Sequence, residues 1–443
     1  MAIAFQVTQT PVYLIFLALI SFCYWLIFRS SLYGVFDPLV MLLVNLVFSG
    51  ALVTALGAFG QIELRYLVAY WACSFAFIFG FTIAKRRYRF SGEVRKPSRK
   101  APTGTQGLDP LQQLDLDLLF VFVTLLFVIN LATIVYALST HAYAIFSQNP
   151  AIDRVALAAS NRWLTVIASA CQVPGLLIST FMALQSRRLL RRIVCLLAAC
   201  TFVFSISGGG SKGGMLSLVF MAGSLEVYLR AHKIRGARTV RRLIYAFFAL
   251  GIIYFIYVAS RLASADQSWF GILVTRVVLY GESYVYFFVE NQYESLKFTY
   301  NIVTYTLHTL TAAFGIKLIP HNIGVELYGT STGDYSGFGP NPQHVVEGMI
   351  FLGIYLAPLY SLMIGYLTAY TRRISLNRLG TPQILVFASL FYNAGYLPVD
   401  ITIWLFNVLS SVAILLPLYM VSSILVKLVY RGSDLSRPQL IFE

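Results

Sequence analysis

Apolar runs near the roughly 20-residue length that crosses hydrocarbon recur along the chain, with short polar stretches between them. They begin at about Pro11, Pro38, Tyr66, Leu118, Leu164, Ile193, Gly213, Leu243, Glu347, Gln383 and Ile401, which predicts eleven membrane-spanning helices. The first run has no basic flank before it and no small-residue cleavage pattern after it, so it is expected to be a retained span. The expected fold class is an all-α polytopic integral membrane protein, with residues 1–443 forming a single integral domain. Two interruptions stand apart from the spans. Residues 85–116 begin basic and continue through Pro97-Ser98-Arg99-Lys100-Ala101-Pro102, a composition that buries no core and reads as a flexible loop. Residues 261–346 are polar and tyrosine-rich yet apolar enough to fold, and are expected to form helices lying in or dipping into one membrane interface.

Positive residues cluster in alternating loops. Eight fall in 85–100, four in 187–192, six in 230–242, three in 372–378 and three after Val426; with Arg29 they make twenty-five of the thirty-three. The positive-inside rule places these loops in the cytoplasm, with the amino terminus periplasmic and the carboxyl terminus cytoplasmic. Segment 261–346 then lies on the periplasmic side, between the eighth and ninth spans.

Composition agrees, because 58% hydrophobic against 12% charged residues excludes an ordinary soluble domain. The net charge of +15 is mostly topological, and membrane lipids account for it without nucleic acid. All five cysteines fall inside predicted spans, which argues against a disulfide framework. No His, Cys or carboxylate spacing resembles a metal site, and no nucleotide-binding glycine signature occurs, so no cofactor is expected and a reaction must draw its energy from the substrate.

Eight cations remain that topology does not explain: Arg65, Arg154, Arg162, Lys212, Arg261, Arg276, Lys297 and Lys317. Four stretches could carry chemistry. In Ser205–Met215 (SISGGGSKGGM), glycines free the backbone to approach a ligand, and Lys212 beside a helix start would attract an anion; the plain alternative is a tight turn with a snorkelling lysine. From Arg261 through Arg276 to Glu282, guanidinium forks suit phosphate, or Arg276 and Glu282 form an internal ion pair. Gly333–Gly353 carries Tyr335, Asn341 and His344, with Glu347 one turn further on. A histidine beside a carboxylate can take a proton from a hydroxyl, although polar groups at a helix start are also simple caps. In the turn Tyr396–Asp400 (YLPVD), Asp400 is either a base or the N-cap of the next helix.

The glycine turn SGGGSKGGM, the segment LVTRVVLYGESYVYFF, and above all FGIKLIPHNIGVELYG followed by GFGPNPQHVVEGMIFLG resemble the O-antigen polymerases of the Wzy type, the oligosaccharide repeat-unit polymerases. The resemblance implies a metal-independent glycosyltransferase of the bacterial inner membrane that moves a growing glycan from polyprenyl pyrophosphate onto a new lipid-linked repeat unit. It implies pyrophosphate contacts from Lys212, Arg261 and Arg276, with Arg154 and Arg162 in reserve. A base is expected in His344, then Glu282 or Asp400, and glycan contacts in Tyr335, Asn341 and Glu347. In the related O-antigen ligases a histidine at the corresponding loop-to-helix junction is assigned as the base, which resembles His344 here. Lys212 stands where many relatives carry arginine. The implied partners are lipid-linked oligosaccharides and membrane lipids, with a chain-length regulator and a flippase as accessories. Two other readings compete: an O-antigen ligase, and a secondary transporter or flippase. Transporters of that kind usually show paired broken helices and internal repeats, and no repeat of the two halves is evident in this sequence.

Overall fold

In the computed structural model the described residues are 10–86, 114–140, 162–208, 214–262, 279–312, 316–335, 339–377 and 379–434. Among them all regular structure is helical and no strand occurs. The helices are α1 (Thr10–Phe28), α2 (Pro38–Ala58), α3 (Leu64–Arg86), α4 (Leu116–Thr140), α5 (Arg162–Gln185), α6 (Leu189–Gly208), α7 (Gly214–Ala231), α8 (Ala237–Leu262), α9 (Ile302–Ala312), α10 (Ile323–Thr332), α11 (Gln343–Leu376), α12 (Thr381–Leu390) and α13 (Ile401–Asp434), with short helical turns over 279–296. Eight of them, α1 to α6, α11 and α13, are long and apolar enough to cross a membrane. The chain is therefore an all-α, multi-pass membrane protein, as expected where backbone groups must bond within their own segment. α12, near the expected span at Gln383, has only ten residues, about half the length a crossing takes.

The chain divides into two compact units. One comprises Met1–Thr105, Ala249–Ile374 and Phe391–Phe406; the other comprises Gln106–Phe248, Ser375–Leu390 and Asn407–Glu443. In the second unit α4, α5 and α6 pack together, and Gly175 of α5 leaves room for the Phe202 ring, which a Cβ would meet at 2.2 Å. The buried Glu226 carboxylate of α7 is held by Arg241, at 2.6 Å, and by Arg230.

The first unit holds the segments of interest. Its α2 is the most enclosed of the apolar helices, and its α3 lies backbone to backbone against α11: a Cβ on Gly80 would sit 2.0 Å from the Leu362 carbonyl oxygen, and one on Gly365 2.1 Å from that of Phe77. Small residues permit this close approach, the usual device for joining helices where the solvent is itself apolar.

α11 is not one rod. At Gly353 the backbone has φ 75° and ψ 169°, a conformation essentially reserved for glycine. Residues 343–352 and 354–376 are therefore two arms, and their contacts show that they fold back on each other. His344 lies 2.9 Å from Ser361, seventeen residues on, which an unbroken helix would hold roughly 25 Å away. A Cβ on Gly348 would approach the Ala357 carbonyl to 3.1 Å, so the arms touch. The first arm, ten residues and about 15 Å long, begins inside the unit: the side chain of Gln343 reaches Asn45 and Ser49 in the middle of α2.

Candidate functional site

The two last stretches singled out in the sequence meet at the start of this inward arm. The backbone N–H groups of Gln343 and His344 donate to the carbonyls of Val399 (3.0 Å) and Pro398 (2.9 Å), so the YLPVD turn satisfies donors that a helix start leaves orphaned. The return contact comes from Glu347, whose Oε1 accepts the N–H of Ile401 at 3.2 Å while its Oε2 accepts the Tyr360 hydroxyl at 2.7 Å. Asp400 accepts from the Thr402 N–H (2.8 Å), the Thr402 hydroxyl (2.5 Å) and the Ile403 N–H (3.4 Å). Its geometry is that of an N-cap for α13, and two carboxylates thus sit on the positive end of one helix, which offsets the cost of holding them inside the protein.

His344 is enclosed with them. Its ring stacks on Phe77, with centroids 5.0 Å apart and planes inclined by 22°, and its Nδ1 shares a hydrogen with Ser361 Oγ at 2.9 Å. Its Nε2 is buried and has no hydrogen-bond partner among the described residues. An imidazole held through one nitrogen can accept or donate a hydrogen through the other. His344 and Glu347 are both fully buried and Asp400 is 7% exposed.

Gln343 is the residue that sequence reasoning missed. Its backbone is left-handed, at φ 58°, a cost of order 1–3 kcal/mol for a non-glycine residue. Its buried side chain is committed at both ends: Nε2 donates to the Tyr280 carbonyl (2.7 Å) and to Ser49 Oγ (2.9 Å), and Oε1 accepts the Tyr284 hydroxyl at 3.0 Å. Only the glutamine amide, with donors and an acceptor on one plane, serves all of these partners. The one signal available in the sequence was its position directly before His344.

The other candidates fall elsewhere. Glu282 is half-buried and accepts the Tyr286 hydroxyl at 2.7 Å. Tyr335 is 42% exposed, its ring resting on Gly329 of α10 and tilted against His321 at 4.8 Å. Asn341 is exposed on the loop leading to Gln343. That loop is pinned further back, where a Cβ on Gly324 would lie 2.0 Å from the Pro340 carbonyl; the two motifs FGIKLIPHNIGVELYG and GFGPNPQHVVEGMIFLG thus pack on each other. Lys212, Arg276 and Arg154 lie outside the described residues, as do the side chains of Arg261, near the end of α8, and Arg162, the first residue of α5. Two more of the eight unexplained cations have carboxylate partners: Arg65 pairs with Glu63 (2.8 Å) and Glu294 (3.6 Å), and Lys297 with Glu294 (2.5 Å).

A pH-sensitive contact lies beside the site, on α9. The Nδ1 of His308, which is nearly buried, accepts the N–H groups of Leu318 (3.0 Å) and Ile319 (3.3 Å). Burial, and then the charge of Lys317, holds this imidazole below the ordinary histidine range. The neutral ring is required to accept, so these bonds contribute fully above the unfolded pKa of about 6.5 and are lost as pH falls through the lowered folded value. Amide exchange at Leu318 and Ile319 is expected to lose protection as pH falls below about 6.5, once corrected for intrinsic rates, and to lose that pH dependence in His308→Gln.

Comparison with protein-family models, with curated proteins and with solved structures finds no match to this chain.

Proposed function

We propose that this protein polymerises polyprenyl-pyrophosphate-linked oligosaccharide repeat units at the periplasmic face of a bacterial inner membrane, through eleven spans with the amino terminus periplasmic and the carboxyl terminus cytoplasmic. The observation that carries the reading is the His344 ring, fixed by Ser361 and Phe77 and left with an uncommitted, buried Nε2. In the reaction a sugar hydroxyl of the incoming repeat unit attacks the anomeric carbon at the end of the growing glycan. The bond from that carbon to the pyrophosphate oxygen breaks, the hydroxyl proton passes to His344 Nε2, and the lipid pyrophosphate departs with the bonding pair. Lys212, Arg261 and Arg276, with Arg154 and Arg162 in reserve, are assigned to the charge that develops on the leaving group. The exposed Tyr335 ring and Asn341 suit a glycan, since aromatic faces pack on sugar C–H surfaces while amides bond hydroxyls. Asp400 caps the start of α13, and Glu347, by accepting the Ile401 N–H, ties that helix start to the arm that presents His344.

One observation favours a second reading. A half-helix that begins inside the unit, beside buried His344, Glu347 and Asp400, is the kind of broken helix on which transporters build their sites. A bacterium lacking the gene separates the two. Wild type is expected to restore a ladder of long surface glycans, and His344→Ala, present at a normal membrane level, to leave single repeat units. Polymer stalled on its lipid carrier would instead indicate a ligase. Ladders unchanged by the deletion would remove the polymerase reading and leave transport.

A further inference from the structure

We propose that Gln343 is the positioning residue of this site and that it ties the placement of His344 to the stretch Leu279–Val289. The inference rests on His344 acting as the base.

The left-handed backbone of Gln343 turns the chain from the 339–342 loop into the inward arm, so that His344, the next residue, enters the interior. Nothing in the loop demands a side chain at this point, and glycine would adopt the same φ without strain. A glutamine is kept there, and each of its amide atoms contacts the stretch that packs over the arm: Nε2 the Tyr280 carbonyl, Oε1 the Tyr284 hydroxyl. Ser49 donates to the same Tyr280 carbonyl at 3.1 Å, which anchors the group to α2. Tyr284 is fully buried, stacks on Phe288 and meets Tyr70 of α3 edge-on at 5.1 Å. Displacing 279–289 therefore pulls on Gln343, and through it on the first turn of the arm and the imidazole. The same linkage lets a glycan that engages the tyrosine-rich stretch set the base at the moment it is needed, a use of remote binding to position the reacting groups.

The test compares backbone and side chain. Gln343→Gly removes the amide and relieves the backbone; Tyr284→Phe removes one hydroxyl and leaves the arm untouched. Both are assayed in membranes of the deletion strain carrying its own lipid-linked repeat units, alongside membrane level and thermal unfolding in detergent. Gln343→Gly is expected to keep its level and unfolding temperature while kcat falls about 10²-fold and KM holds, the scale at which misplacement of a reacting group is felt. Tyr284→Phe is expected to lose activity in the same direction by less, and the double variant to be no worse than Gln343→Gly, as for groups on one path. A wild-type rate in Gln343→Gly overturns the proposal. Should that variant prove unstable, a wild-type rate in Tyr284→Phe overturns it instead. An active His344→Ala would sink the base assignment itself, whereas inactive His344→Ala with active Gln343→Gly would sink only this inference.

Discussion

Arg372→Met is expected to destabilise the protein by about 3–5 kcal/mol, the usual consequence of leaving a buried charge without its partner. Arg372 lies near the end of the second arm of α11, and its Nη2 donates to Asp37 Oδ2 at 2.8 Å; the two side chains are 5% and 0% exposed. Asp37 is already the N-cap of α2, accepting the Leu39 N–H through Oδ1 and the Tyr33 N–H through Oδ2, each at 2.9 Å. The guanidinium also lies over the Phe391 ring at 4.7 Å, a contact worth more once water is excluded. Methionine keeps much of the length and none of the charge, so the carboxylate stays buried on the cap bonds alone. Adding Asp37→Asn should recover part of the loss, because an amide oxygen still accepts the Leu39 N–H. Unfolding in detergent can be followed with a thiol-reactive dye, since Cys73, Cys171 and Cys195 are buried. An Arg372→Met protein that melts with wild type would show that this ion pair contributes nothing.

Gly365→Ala is expected to destabilise by an amount at or above the upper end of the 1–3 kcal/mol typical of overpacking, roughly 3 kcal/mol. The sign is the informative part. An unconstrained helical glycine gains about 1 kcal/mol on replacement by alanine, whereas here the added carbon would stand 2.1 Å from the Phe77 carbonyl oxygen, and backbone cannot move aside as a side chain can. The helices must separate, and Phe77 carries the ring on which His344 stacks, so activity is expected to fall with stability. Gly80→Ala strikes the same contact from the other helix, and the double variant should cost less than the sum of the two. Stabilisation by either alanine would contradict the close packing of α3 on α11.

Much of this was readable from residue order. A helix in hydrocarbon satisfies its own backbone and advertises itself by length and apolarity alone, so the eight long helices stand where runs of such residues stand. His344, Glu347 and Asp400 are legible because a histidine one turn from a carboxylate and an aspartate just before an apolar run are patterns of spacing. Less visible was the reversal at Gly353: a glycine within an apolar run looks the same whether the helix continues or folds back, and the run beginning at Glu347 reads as one span. The polar lattice around Gln343 left almost no trace, because Asn45, Ser49, Tyr284, Tyr360 and Ser361 are common residues in helices and only their meeting point distinguishes them.

By itself the sequence determined that the chain is a bundle of membrane helices, because transfer of apolar side chains and the obligatory bonding of the backbone are local properties that add along the chain. Whether Glu347 is committed and which nitrogen of His344 is left uncommitted were decided only by tertiary structure. These depend on a 2.9 Å contact between His344 and Ser361, seventeen positions apart, and on the hydrogen bonds that Tyr360 and Ile401 give to Glu347, and the contacts with Ser361 and Tyr360 exist only once the arms of α11 have closed on each other.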